Sequence, residues 1–225
     1  MQTVQEVVSH LIQQAPFLEE SLAEGIINFT ALARNMREDV ERYMSKPVQI
    51  GAIVMAIKRH VPKPAQSTLL SEMRTYVSKL GEIIIRSDLV DYTFKNSDSL
   101  LKSQEVLMAR LQKESHELFM ASSKGVYETN VVVSATLIPL IEEIFEHQSI
   151  LNKRAQLSSL TIRLPQDNTV VPGVYYVLLK TLAWEGINLV EMVSTTHEIT
   201  LILDEEDLNR AFGLLQTLTR SNRLM

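Results

Sequence analysis

Cysteine is absent from the 225-residue chain, which excludes disulfide staples, thiolate nucleophiles and cysteine-ligated zinc together. Glycine is scarce, at seven residues, and none stands in a GxxxxGK loop that would cradle a nucleotide phosphate. The five histidines are scattered without an HExxH pair. Glu143 and His147, four apart on an expected helix, have no third ligand beside them and read as a solvated pair. No apolar run approaches the ~20 residues that cross a bilayer. The start, MQTVQEVVSHLIQQA, is amphipathic and carries Glu6 where a secretory leader needs positive charge ahead of an apolar core. Positive charge is short overall: a net charge of -5 and a pI near 5.6 argue against a surface given wholly to nucleic acid or anionic membrane. No acid, base and nucleophile stand together. The expectation is a cytoplasmic non-enzyme with no catalytic residue, metal, cofactor or membrane contact.

What is present is apolar content, 45% of the residues, enough for two or three small domains with their own cores. The clearest pattern runs over 160–219. Leu160, Ile162 and Leu164 alternate as a strand, and the loop 165–171 leads to Pro172-Gly173. Val174, Val177, Leu178 and Leu182 then recur at helical spacing up to Gly186. Strands follow over 189–194 and 198–203 about a polar turn at 195–197. Asp204 stands where it would cap a helix with the stripe Leu208, Ala211, Phe212 and Leu215. Trp184 reads as a packing anchor and the nine methionines as core filling.

The same order, strand, helix, strand, strand, helix, recurs upstream. Residues 81–96 are either one bent strand or a hairpin about Ser87 and Asp88. A helix over 97–115 is capped by Ser97 or Ser99, strands lie over 116–125 and 126–135, and a helix covers 137–150. The chain therefore carries a degenerate internal repeat, 81–150 and 151–225.

Residues 1–80 are helical: 3–14, 17–24, a stretch through Phe29, Met36 and Met44 with a break near Arg37, and 49–60, apolar almost all round and so central. PKPAQS at 62–67 reads as a linker, and 69–80 as a last helix or a wing. This density matches a helix-turn-helix or winged-helix domain, and TALARNM resembles the first helix of such a motif. Lys46, Lys58, Arg59 and Lys63, with His60, form a locally basic end. Two readings stand side by side: DNA contact through that end, or a buried helix whose basic end is solvated.

PGV at Pro172, Gly173 and Val174, GIN at Gly186, Ile187 and Asn188, and EEDLNRA at 205–211 resemble the ACT domain, a ferredoxin-like module that in many proteins binds an amino acid. The fold expected is α+β: a helical, helix-turn-helix-like N-terminal domain followed by two βαββα ACT-type modules. Paired modules of this kind resemble the regulatory region of aspartate kinases, without the catalytic part. Gly173 lets a ligand approach the backbone, and unpaired amides of Gly173, Val174 and Tyr175 at a helix start suit a carboxylate. Asp167 or Asn168, in the loop before Pro172, would accept from an ammonium group, and the resemblance implies that Asn188 also contacts the ligand. The first repeat has NSDSL in place of Pro-Gly, so it reads as partner surface. The function expected is allosteric regulation by an amino acid, in a homodimer paired through the modules, coupled to DNA binding by the N-terminal domain. The alternative is an adaptor whose modules only dimerise and make protein contacts.

Overall fold

Two long antiparallel strands, β1 (Ile83–Lys95) and β4 (Ile150–Arg163), lie side by side in the middle of a six-stranded sheet. The computed structural model describes residues 2–61, 75–112, 118–166 and 170–221. Lys63, the linker PKPAQS, Asp167 and Asn168 lie outside the described residues. After β1 come α5 (Asp98–Leu111), β2 (Met120–Lys124), β3 (Glu128–Ser134) and α6 (Ile138–Ile144). After β4 come α7 (Val174–Trp184), β5 (Glu191–Ser194), β6 (Glu198–Asp204) and α8 (Leu208–Ser221). The sheet order is β2-β3-β1-β4-β6-β5.

Both halves follow one plan. β3 pairs with β1 from Leu89↔Ser134 to Lys95↔Glu128, and β6 pairs with β4 from Leu157↔Asp204 to Arg163↔Glu198. Leu89 faces Leu157 where β1 meets β4, and a local two-fold passes there: Arg86↔Ser159 is answered by Asp91↔Arg154, and Ile85↔Leu160 by Tyr92↔Lys153. Asp88 and Gln156 sit just before these two leucines, and each is left-handed with φ 58. The register shifts at the same place, so each long strand is bulged and changes role there. Residues 89–95 pair with β3, whereas 83–86 pair with β4 alone; 157–163 pair with β6, whereas 150–154 pair with β1 alone. The segment after α6 thus supplies the first half's fourth strand, and the start of β1 supplies the second half's. The expected helix over 137–150 stops at Ile144 because that fourth strand begins at Ile150. Residues 81–96 form one bent strand, with its bend at Asp88.

The helices cover one face of the sheet. Val90, Tyr92, Phe94, Val131 and Val133 meet Leu100 and Leu107 of α5 and Ile141 of α6, with Phe94 stacked 4.7 Å from Phe145. In the second half Leu160, Ile162, Ile199, Leu201 and Leu203 meet Val174, Leu178, Leu182, Ala211 and Leu215. Tyr76, Val77 and Leu80, in the stretch read from the sequence as the end of the N-terminal domain, are part of this second core. The chain divides into two compact units, Met1–Glu72 and Met73–Met225.

The helix-free face is also closed. Leu89, Val132, Leu157 and Ile202 are buried there, with Phe119 and Val190 packed against them. A sheet with helices on one side commonly leaves the other side wet. Here the Asn130 side-chain amide on β3 donates to Glu191 on β5 at 2.9 Å, although three strands separate β3 from β5 and a flat sheet would hold them about 19 Å apart. The sheet therefore curls so that its outer hairpins approach each other.

The N-terminal unit holds α1 (Val4–Gln13), α2 (Pro16–Ala23), α3 (Phe29–Met44) and α4 (Ile50–His60). Thr3 and Glu6 form a reciprocal capping box at α1. The Asn28 side chain accepts from Thr30 and Ala31 at α3. α3 is continuous through Arg37, which pairs with Glu41 one turn on. Val7, Val8, Ile12, Ala33, Met36, Val40, Ile53, Ala56 and Ile57 make the core. α4 is not buried all round: Ile53, Ala56 and Ile57 face inward, while Gly51, Ala52 and Met55 are exposed. Its apolar residues are simply more numerous than its buried face requires.

Candidate functional site

The candidate ligand site lies at the start of α7. Gly173 is the N-cap, left-handed at φ 86, and no side chain caps the helix. An L-residue would be strained there. Among the described residues no acceptor receives the amides of Gly173, Val174 or Tyr175, and the next turn closes with the Val177 amide donating to the Gly173 carbonyl at 3.3 Å. Val174 turns its side chain into the core and so offers only its backbone. The Tyr175 hydroxyl lies 2.7 Å from the Ser194 hydroxyl at the end of β5. Pro172 is exposed beside it.

GIN has a structural explanation of its own. Gly186 is left-handed at φ 71 and ends α7, its amide donating to Ala183 and the Ile187 amide to Leu182, while Ile187 is buried in the second core. Asn188 is exposed, and no hydrogen bond joins it to Gly173, Val174 or Tyr175. Trp184, read as an anchor, is instead 76% exposed. It follows the buried Leu178 and Leu182 stripe on the outer side of the helix. Asp204 does not cap with its side chain; its carboxylate takes two bonds from Arg154, at 2.9 and 2.6 Å, and a 3-10 turn, Glu205–Asp207, precedes α8. Glu143 pairs with Arg110.

The basic end of α4 is partly dispersed. Lys46, Lys58 and Arg59 are exposed, but His60 turns inward, its Nδ1 3.0 Å from the Ser9 hydroxyl. Over its first turns the solvent side of α4 offers Gly51, Ala52 and Met55, none of which can hydrogen-bond a base edge; only Lys58 and Arg59 in its last turn can. Among the described residues the N-terminal unit contains no strand, so no wing is described.

One polar site was not legible in the sequence. Asp91 lies between Leu89 and Thr93 on the helix-free face, is 3% exposed, and has one carboxylate oxygen without a hydrogen-bond partner. Burial first, then the charge of Glu191, push its pKa up to about 6; Arg154 opposes the rise and Glu128 adds to it. Alternation alone assigns Asp91 to the face opposite Val90 and Tyr92, where a carboxylate would be expected in water. Its burial comes from hairpins that close over it from distant sequence.

Among the described residues, one cavity of about 460 Å³ is lined by Ala155, Gln156, Asp204, Glu205 and Glu206, and one of about 220 Å³ by Glu82, Ile84, Thr161, Arg163, His197 and Glu198. Neither includes Gly173 or Asn188. Among the described residues no three carboxylates or imidazoles are grouped to hold a metal, and no helix is long and apolar enough to cross a membrane.

No family model matches the chain, and no curated protein matches it in sequence. Solved structures do match its fold. The aspartate kinase of Clostridium acetobutylicum, described as an allosteric enzyme, is matched with a TM-score of 0.52 and 12% identity over 63% of this chain and 35% of that one. The aspartokinase alpha and beta subunits are matched with a TM-score of 0.50 and 15% identity, over 63% of this chain and 99% of that one. The ligand-free regulatory subunit of aspartate kinase from Thermus thermophilus is matched at 13% identity, 62% and 98% coverage and a TM-score of 0.49. The chain spans about a third of the length of the Clostridium enzyme. At these identities the likeness is one of fold: an ACT-like arrangement of helices on an antiparallel sheet.

Proposed function

We propose that this protein is a non-catalytic regulator in which two ACT-like modules, 81–150 and 151–225, sense an amino acid at the start of α7. The observation that carries the reading is Gly173, held left-handed at a helix start where the amides of Gly173, Val174 and Tyr175 have no acceptor among the described residues. Such amides carry partial positive charge and suit a carboxylate. Asp167 or Asn168 would receive the ammonium group, and Tyr175 would border the ligand. Asn188 is the family position carried over by resemblance alone. The allosteric character of the Clostridium kinase, whose fold this chain shares in part, supports a regulatory role. Modules of this type would pair two chains, and binding would act by biasing that pairing.

For the N-terminal unit the exposed Gly51, Ala52 and Met55 of α4 favour contact with protein over reading of bases. DNA contact through Lys46, Lys58, Arg59 and Lys63 would rest largely on phosphates and be steeply salt-dependent.

The test is thermal unfolding of the whole chain with each common amino acid at millimolar concentration. At least one should raise the transition temperature, since a ligand at a hundred times its Kd adds about 2.7 kcal/mol. Gly173→Val should abolish that rise. If none of the amino acids shifts the wild-type transition, the adaptor reading replaces this one.

A further inference from the structure

β5 is the weakest-held strand of the sheet by construction. It is four residues long, stands at an edge and pairs only with β6. Its Glu191 nevertheless reaches across to the other half of the sheet and accepts from the Asn130 amide at 2.9 Å. That bond ties β5 itself to the first half, beside the apolar contact of Ile202 and Val190 with Leu89, Val132 and Phe119.

Asp91 sits within the electrostatic reach of this bond, buried and with one oxygen unpartnered. The charged groups that face it are Glu191 from β5, Glu128 from β3 and Arg154 from β4. Arg154 is the cation among them, and both of its bonds described here go to Asp204. The charge of Glu191 works against ionisation of the buried Asp91, and a neutral Asp91 removes that repulsion while Asn130 donates to Glu191. When Asp91 loses its proton, one carboxylate must find water or cation. Glu191, on a short edge strand and half-buried, can leave; Asp91, in a central strand, cannot.

We infer that Asp91 and Glu191 form a proton-operated clasp: a protonated Asp91 lets Glu191 seat β5 against the first half through Asn130, and ionisation of Asp91 releases β5 from that half. The working range lies near pH 6, where burial and the neighbouring carboxylate place the Asp91 titration. Release would also loosen Ser194, the β5 residue that holds the Tyr175 hydroxyl. The clasp does not depend on what α7 binds, or whether it binds anything.

Amide hydrogen exchange of the full chain between pH 5 and 7.5, corrected for intrinsic exchange, tests this. Protection of the β5–β6 ladder, read at Val190 and Thr195, whose amides donate to Ile202 and Glu198, should fall about tenfold relative to the β1–β3 ladder as pH rises, which corresponds to a difference of one pKa unit between seated and released forms. Asp91→Asn should keep the high protection throughout. Glu191→Gln, which removes the repulsion and keeps an acceptor for Asn130, should flatten the pH dependence. A wild-type ladder that does not change across this range overturns the inference, with no variant needed. So does an unchanged pH step in either variant that folds.

Discussion

Leu157→Ala probes the closed helix-free face most sharply. Leu157 is fully buried, faces Leu89 at the local two-fold, and packs with Val132 and Ile202. A sheet open on that side would leave Leu157 partly wet, and its truncation would cost little. In the closed arrangement the substitution removes the transfer energy of the lost carbons and leaves a cavity among Leu89, Val132 and Ile202. The expected loss is about 2–5 kcal/mol, a fall of roughly 4–20 °C in the transition temperature at about 2–4 °C per kcal/mol for a domain of this size. Urea unfolding followed by far-UV circular dichroism reads the change. Leu89→Ala should lose a similar amount, and the double variant should lose clearly less than the two single losses together, because the leucines share one cavity. A loss below about 1 kcal/mol for Leu157→Ala, with unaltered cooperativity, would refute the curled sheet.

Asp91→Asn bears on the same face through charge. Because the folded pKa is raised to about 6 from 3.8, the stability Asp91 contributes is full below pH 3.8 and is lost as pH rises through 6. The variant should therefore match the wild type near pH 4 and exceed it above pH 7 by about 1–3 kcal/mol at 1.36 kcal/mol per pKa unit; equal urea midpoints at pH 7.5 would contradict this. Thr3→Ala removes half of the capping box on α1 and should cost the N-terminal unit about 1 kcal/mol, read from the first transition in calorimetry. Trp184→Ala should change stability by less than about 0.5 kcal/mol, since the ring is 76% exposed; a loss several times larger that deepens on dilution would place Trp184 in an interface between chains.

Local chemistry explains what was legible in the sequence. Ser97 before α5 and Gly186 after α7 are short-range signals that act within one turn, and each does in the structure what its pattern implies. The alternation through Ile199, Leu201 and Leu203 gave β6 for the same reason. The fourth strand of each half was not legible, because 83–86 and 150–154 continue into the long strands and no glycine or proline marks the junction. Asp88 and Gln156 mark it instead, two side chains that tolerate the left-handed region only because the bulge on either side demands it. Trp184 was misread as an anchor, and nothing in the sequence singled out Asp91. Residue type suggests that a tryptophan is buried and an aspartate wet, whereas tertiary placement left the first on the outer side of α7 and covered the second with hairpins distant in sequence. Of the candidate site, Gly173 and the amides after it follow from Pro-Gly before a helical stripe. Asn188 does not, because Gly186 and Ile187 already account for the GIN sequence as a helix stop.

The most direct test of the proposed sensing site is a titration of the 15N-labelled whole chain with the amino acids, followed by NMR at single amides. The account expects one of them to move the Gly173, Val174 and Tyr175 amide resonances downfield together in a saturable way, as donors gain a carboxylate, and Gly173→Val to abolish the response. Saturable binding that leaves these three amides unmoved would contradict it.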